Sequence, residues 1–327
     1  MVYQPITPDQ IDAICRRAFG SEVNSKSLQE ISGGTFNTVY LINLETEQAI
    51  LRIAPPATAD LLWDDLALMR REYQIRPFFA AIAPLMPKII LADFTHQLID
   101  RDYMVQSFIE GERWDYLEDE LTVDENLALW RQLGQIVKRI HTTTGEWFGW
   151  PSPGPQFSRW SELVIDRFER MAASMQQEQL DTTAFNTILG MVQSQSAWLD
   201  EIRQPCLLHG DLWLFNVIVS QHETGPQITG IIDADRAWWG DPMADMLMFL
   251  LAVRRDEPEW QEAQAAFWAA YEPPENGQTA QFRDAVYQAM HLGSVGLWYF
   301  KNQKPDVFKR AGEELRKIAH LLPRLIG

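Results

Sequence analysis

His209-x-Asp211, followed by Asn216 and, seventeen residues later, by Asp233, is the set of groups in this chain best suited to chemistry. Asp211 and Asn216 keep the D-x-x-x-x-N spacing with which phosphoryl-transfer enzymes place a catalytic aspartate ahead of a metal ligand. Asp233 stands where a second metal-binding carboxylate follows. Such a reaction demands positioning and charge neutralisation more than covalent work. Asp211 suits the base, or the orienter of an acceptor hydroxyl. Asn216 and Asp233 suit Mg2+, which prefers oxygen ligands and is usually held by one or two carboxylates plus phosphates. His209 reads as a scaffold for the loop rather than a proton carrier.

These groups need elements to hold them and a site for the nucleotide. Thr7-Pro8-Asp9 opens a helix, with Ile11, Ile14, Cys15 and Ala18 on one face and Gly20 at its end. Three strands are expected over Ser27–Ile31, Asn37–Leu44 and Gln48–Ile53. The turn between the first two contains Gly33, Gly34 and Thr35. Glycine there lets backbone N–H groups approach a phosphate, so the stretch through Phe36, Asn37 and Thr38 could cover a nucleotide; a plain hairpin turn is the simpler account. Arg52 is a cation on an apolar strand, and a helix expected from about Ala59 to Arg76 carries Glu72. In kinases a cation on this strand contacts phosphates and pairs with a helix glutamate. The usual cation is lysine; arginine keeps the charge and adds a planar fork. A solvated strand residue and a surface glutamate would be the plain alternative.

Two further strands, Lys88–Asp93 and Tyr103–Ile109, would complete a five-stranded antiparallel sheet. In a two-lobed kinase the linker strand supplies backbone groups to adenine, here roughly Gln106 to Ile109 with Phe108 among them, before the chain crosses into a helical region at Gly111. There Leu127, Trp130, Leu133, Val137 and Ile140 mark one buried face of a helix over Asp124–His141, and His141 reads as a cap or core residue. Further helices are expected over Arg159–Met175, Thr182–Arg203, Pro258–Tyr271 and Gln281–Phe300. A last one carries Phe308, Ala311, Leu315, Ile318 and Leu322. The pairs Trp147/Trp150 and Trp238/Trp239 could line a substrate cleft, although tryptophans more often pack in cores.

Composition narrows the alternatives. With 327 residues, 46% hydrophobic and 22% charged, the chain is sized for two lobes with a substantial core. A net charge of −17 argues against nucleic acid. It would favour a cationic acceptor, and it serves solubility equally directly. Two cysteines, no visible secretory signal and no long apolar run lead to the expectation of a cytoplasmic protein away from the membrane. The six histidines form no metal-hydrolase pattern, and G-x-S-x-G, G-x-x-x-x-G-K-[ST] and a strand-following G-x-G-x-x-G are all missing.

Leu208-His209-Gly210-Asp211-Leu212-x-x-x-Asn216-Val217-Ile218-Val219 resembles the catalytic segment of the aminoglycoside phosphotransferase family. Ile231-Ile232-Asp233-Ala234-Asp235-x-Ala237-x-x-Gly240-Asp241-Pro242-x-x-Asp245 is similar to its metal-binding segment. Weaker matches run in family order: Gly33-Gly34, Leu51-Arg52, Arg71-Glu72, Phe108-Ile109-Glu110-Gly111, and Leu133-Gly134 through Ile140-His141. The resemblance implies an α+β, two-lobed protein-kinase-like fold related to fructosamine and choline kinases. Residues 1–108 would form a nucleotide-binding lobe and residues 109–327 a catalytic and substrate-binding lobe. It implies ATP and Mg2+, a small-molecule hydroxyl acceptor, Asp211 as the catalytic aspartate, and Asn216 and Asp233 as metal ligands with Asp235 as the fallback. Asp241 and Asp245 are expected to accept hydrogen bonds that hold the loop. The chain departs from the family in Trp213-Leu214-Phe215-Asn216, where many members end the loop in a His-Pro-Gly-Asn-like string, so the acceptor pocket could be shaped differently. The alternatives are a non-catalytic nucleotide-binding protein on this fold and a fructosamine-type sugar-amine kinase. A protein kinase is disfavoured by the missing A-P-E segment.

Overall fold

Local signals set the first elements of the computed structural model, which describes residues 6–20, 28–31, 36–45 and 47–326. Thr7 caps helix α1 (Pro8–Phe19) in a reciprocal capping box with Gln10, and Gly20, in a left-handed conformation, ends it. Strands β1 (Leu28–Ile31), β2 (Thr38–Asn43), β3 (Gln48–Ile53), β4 (Ile89–Asp93) and β5 (Tyr103–Ser107) form one antiparallel sheet in the order β1-β2-β3-β5-β4. The two-residue period of β3 assigns its faces. Ala49, Leu51 and Ile53 join Ile11, Ile14 and Cys15 of α1 in a buried cluster, while Ile50 and Arg52 line a cleft.

Helix α2 spans only Leu68–Ile75. The expected start at Ala59 is corrected: Trp63–Asp65 is a 3-10 turn, and Ala67 is left-handed at φ 56°. Tertiary ion pairs account for the difference, because Asp64 and Asp65 are drawn to Arg167 and Arg236. The α-helix ends at Ile75, just ahead of Pro77, and 3-10 turns continue the chain from Arg76 to Leu85.

The remainder is mainly helical. Thr122 and Glu125 form a capping box at the start of the helix Val123–His141. Long helices also span Trp160–Gln177, Gln278–Lys301 and Pro305–Ile326. The single helix expected over Thr182–Arg203 is instead Thr183–Ser194 and Ser196–Leu199, interrupted at Gln195. Two large cores result, one centred on Trp160, Phe168, Phe185 and Phe282, the other on Trp130, Leu133, Val217 and Phe267.

Short strands between the helices position the acid-bearing loops. Cys206–Leu208 leads into His209, and the hairpin Val217–His222/Gly225–Ile231 leads out of Asn216 and back to Asp233. Trp238–Gly240 then pairs antiparallel with Cys206–Leu208, which returns the second loop to the first. Among the described residues no helix is long and apolar enough to cross a membrane.

Candidate active site

The catalytic-type loop is held from behind by Asp245. Its carboxylate accepts the amide of His209 at 3.0 Å, that of Gly210 at 2.8 Å, and that of Met246 at 2.8 Å, which caps the next helix. His141 Nε2 lies 3.1 Å from the same carboxylate, and His141 Nδ1 is 2.8 Å from the Tyr271 hydroxyl. Burial would raise the pKa of Asp245; the hydrogen bond and charge of His141, the charge of His209 and the Gly210 amide outweigh it and hold the carboxyl below its ordinary value. His141 is therefore a tie between the two segments rather than a helix cap. Asp241 accepts the Met243 amide at 3.0 Å and the Tyr287 hydroxyl at 2.6 Å. His209 is wholly buried, edge-on to Phe79, and burial lowers its pKa.

Gly210 shows how closely the two loops approach. Its φ is +78°, and a Cβ there would lie 2.1 Å from the backbone carbonyl oxygen of Arg236. Asp211 then opens on the cleft. Trp213 Nε1 donates to Asp211 Oδ1 at 2.6 Å, and Asn216 Nδ2 donates to the Asp211 backbone carbonyl at 2.7 Å. Burial pushes the Asp211 pKa up to about 7, with Asp233 adding to the rise and Arg236 opposing it.

Across the cleft, Arg52 draws three acids together. Its Nη1 donates to Glu72 Oε2 at 2.6 Å, and its Nη2 donates to Asp233 Oδ1 at 2.5 Å and to Asp235 Oδ2 at 3.4 Å. The alternative of a solvated Arg52 and a surface Glu72 is removed, since both are buried. Burial opposes the charge of Arg52, but Glu72, Asp233 and Asp235 carry its pKa upward. Oxygens of Glu72, Asp233 and Asp235 lie within 4.8 Å of one another, a set of hard donors that fits a divalent cation. Burial raises Glu72, and raises Asp235 well above the ordinary carboxylate range. Asp233, with a left-handed backbone at φ 62°, keeps 39% of its side chain exposed against 5% for Asp235, so it is the more open to an ion from the cleft.

The cleft holds about 710 Å3. Asn37, Val39, Ile50, Gln106 and Phe108 line its sheet side, and Ile232, just after the strand Gly225–Ile231, joins the lining from the helical region. Gln106 is buried, with Nε2 at 3.4 Å from Glu72 Oε1. The Phe108 amide donates to the Gln48 carbonyl at 3.3 Å and is committed to the sheet, so only the side chain and carbonyl of Phe108 are left to meet a ligand. Gly33, Gly34 and Thr35 lie outside the described residues.

At the far end stand Trp63, Asp64, Asp65, Arg167 and Arg236, none of which the sequence singled out as site residues. Asp64 and Asp65 were hidden inside an expected helix. Arg167 carried a signal: it occupies a core-facing position four residues from both Leu163 and Met171. Of the tryptophan pairs, Trp150 and Trp238 line the cleft, while Trp239 packs edge-on to Phe78 and Trp147 lies against a core cluster.

The APH family, described as "Phosphotransferase enzyme family", matches residues 27–282. No curated protein matches the sequence. A thermostable mutant of the aminoglycoside phosphotransferase APH(4)-Ia superposes with a TM-score of 0.67 at 16% identity, covering 94% of this chain and 98% of that one. A variant of the same enzyme in ternary complex with AMP-PNP and hygromycin B gives a TM-score of 0.67 at 16% identity, covering 95% and 98%. A protein of Haemophilus somnus 129PT described as a fructosamine-3-kinase gives 0.66 at 16% identity, covering 94% and 96%. At these identities the likeness shows a shared fold.

Proposed function

Because the chain belongs to the phosphotransferase enzyme family, we propose that it moves the γ-phosphoryl group of ATP to a hydroxyl of a small molecule. The observation that supports this best is the convergence of the Asp211 loop with Arg52, Glu72, Asp233 and Asp235 around one cleft. The relative solved with AMP-PNP and hygromycin B holds a nucleotide analogue and a small molecule together, which fits the same reading.

In this reading residues 1–108 form the nucleotide lobe and residues 109–327 carry catalysis and the acceptor. ATP lies against the sheet, its base by the segment Gln106–Ile109 and the Phe108 side chain. Gly33, Gly34, Thr35 and Asn37 would contact its phosphates, with Arg52, oriented by Glu72, reaching toward them. Asn216, through its amide oxygen, and Asp233 hold Mg2+, with Asp235 as the buried alternative. The bound ion supplies neutralisation of the phosphate charge. Asp211 accepts the hydrogen bond of the acceptor hydroxyl and aligns its oxygen with the γ-phosphorus; the hydroxyl proton leaves to Asp211 as the new P–O bond forms, and the bond from the γ-phosphorus to the β–γ bridging oxygen breaks, with ADP as the leaving group. Trp213 and the Asn216 amide keep Asp211 in place for that contact.

The test is phosphate transfer from radiolabelled ATP to a broad panel of sugars, amino alcohols, hydroxy acids and aminoglycosides. Transfer that requires Mg2+ supports the reading. Metal-independent ATP binding with no transfer to any acceptor would instead favour a non-catalytic nucleotide-binding protein.

A further inference from the structure

We propose that the acceptor is a hydroxyl compound with an apolar body and one anionic group, a carboxylate or a phosphate, received by Arg167 at the tryptophan-lined end of the cleft. The proposal rests on the phosphotransferase reading for the word acceptor, and on the local chemistry for everything else.

Three tryptophans form a box at this end. Trp150 and Trp238 are stacked, with centroids 5.4 Å apart and planes 16° from parallel, and Trp63 stands edge-on to Trp150 at 6.2 Å. Aromatic boxes of this kind usually receive a ligand's cation. Here the cation is already present in the protein: Arg167 Cζ lies 5.0 Å from the Trp150 ring, 5.3 Å from Trp238 and 5.4 Å from Trp63. A substrate ammonium would find the place filled by a like charge.

The carboxylates nearby are also engaged. Asp64 Oδ2 pairs with Arg167 Nη2 at 2.9 Å, and Asp65 Oδ1 with Arg236 Nη2 at 2.6 Å. Arg71 donates to the Asp64 backbone carbonyl at 3.1 Å, and its Cζ lies 5.8 Å from Trp150. Arg71 and Arg167 thus both meet Asp64, one at its backbone carbonyl and the other at its carboxylate, and this corner sets three arginines, Arg71, Arg167 and Arg236, against the two carboxylates of Asp64 and Asp65, although the chain carries −17 overall. Burial raises the Asp65 pKa, which weakens the negative side further. The helix Gln278–Lys301 adds Ser294 and Trp298 to the lining, and burial lowers the pKa of its His291 to about 4, leaving that ring neutral. Among the described residues this end offers no unpaired carboxylate to a polyamine.

Arg167 has donors to spare. It is 6% exposed, and its described hydrogen bonds all leave from Nη2, to Asp64 and, at 3.3 Å, to Ser294 Oγ. Its Nε is buried without an acceptor. A guanidinium with unused donors, fixed against three tryptophan rings on a cleft, suits a carboxylate or phosphate attached to an apolar skeleton. The opposite sign, which the net charge alone would favour, finds no receptor here.

The experiment uses the full chain and paired ligands: hydroxy acids and their amides, sugar phosphates and the parent sugars, with aminoglycosides and amino alcohols as the cationic arm. Binding is read by tryptophan fluorescence without nucleotide, and transfer by ADP release with Mg·ATP. We expect at least one anionic member to bind about ten-fold or more tightly than its neutral partner. The carboxylate and phosphate arms show which anion is preferred. Arg167→Gln should erase the preference. Since that variant also breaks a buried ion pair, Ser294→Asp provides a second route, placing a protein carboxylate beside Arg167 Nη2. Equal binding of acids and amides, stronger binding of the cationic arm, binding by no anionic member, or a preference that survives Ser294→Asp each overturns the proposal. A missing thermal response to Mg·ATP would fail the phosphotransfer reading instead, because the fluorescence comparison needs no nucleotide.

Discussion

Asp211 is a carboxyl whose surroundings resist its charge. Its pKa near 7 means that the folded protein holds a proton which the unfolded chain, near 3.8, has released. Asp211 therefore favours the folded state at low pH, and that contribution is lost as pH rises through about 7. Asp211→Asn is expected to raise the melting temperature relative to wild type at pH 8 and to leave it close to wild type at pH 4, as scanning calorimetry at both values would show. The same variant should lower transfer by roughly 10²–10⁴-fold, the usual share of general base catalysis, with Mg·ATP binding retained. Wild-type activity should fall as the pH drops below 7, with the midpoint moved downward once a metal neutralises Asp233. At this scale the sequence was informative wherever a motif fixed the spacing, as for Asp211, Asn216 and Asp233. For Arg167 it offered only a core-facing helix position, which gains meaning beside three tryptophans from three other segments.

Between elements, the site depends on how two loops are pressed together. Gly210→Ala would put a Cβ 2.1 Å from the Arg236 carbonyl oxygen at a φ of +78°. Because the obstacle is backbone, the strand pairing of Cys206–Leu208 with Trp238–Gly240 must give way. The expected cost is about 2 kcal/mol or more in urea unfolding, with loss of transfer. Asp245→Ala removes the acceptor of three backbone amides and the partner of His141. It should lower stability by roughly 3 kcal/mol or more, and an unchanged urea midpoint would refute the supporting role of Asp245. Helix periods were legible because they are local, as in Val123–His141. The segment 59–67 was not, since its helical propensity is overridden by ion pairs from Asp64 and Asp65 to arginines more than a hundred residues away.

For the molecule as a whole, Arg52 is the cation that lets sheet and helical region share a cluster of acids. Arg52→Met leaves Glu72, Asp233 and Asp235 within 4.8 Å of one another without it. Removing one member of such a buried set typically costs about 3–5 kcal/mol. The variant is expected to melt lower and to recover more stability from Mg2+ than wild type does, measured by thermal shift with and without EDTA. In wild type, Mg·ATP at a hundred-fold excess over its Kd should add about 2.7 kcal/mol, and ATP with EDTA clearly less. The sequence alone determined the kind of chemistry the acids could do, the sheet, and the faces buried by the helices Pro8–Phe19, Val123–His141 and Pro305–Ile326, because motif spacing and hydrophobic period are written in neighbouring residues. Only the tertiary structure decided that Arg52 joins Glu72 to both aspartates, that Asp245 and His141 brace the loop, and that one end of the cleft gathers three tryptophans around an arginine. Those features arise from side chains far apart in the chain, and their charges and burial acquire values only once the fold has brought them together.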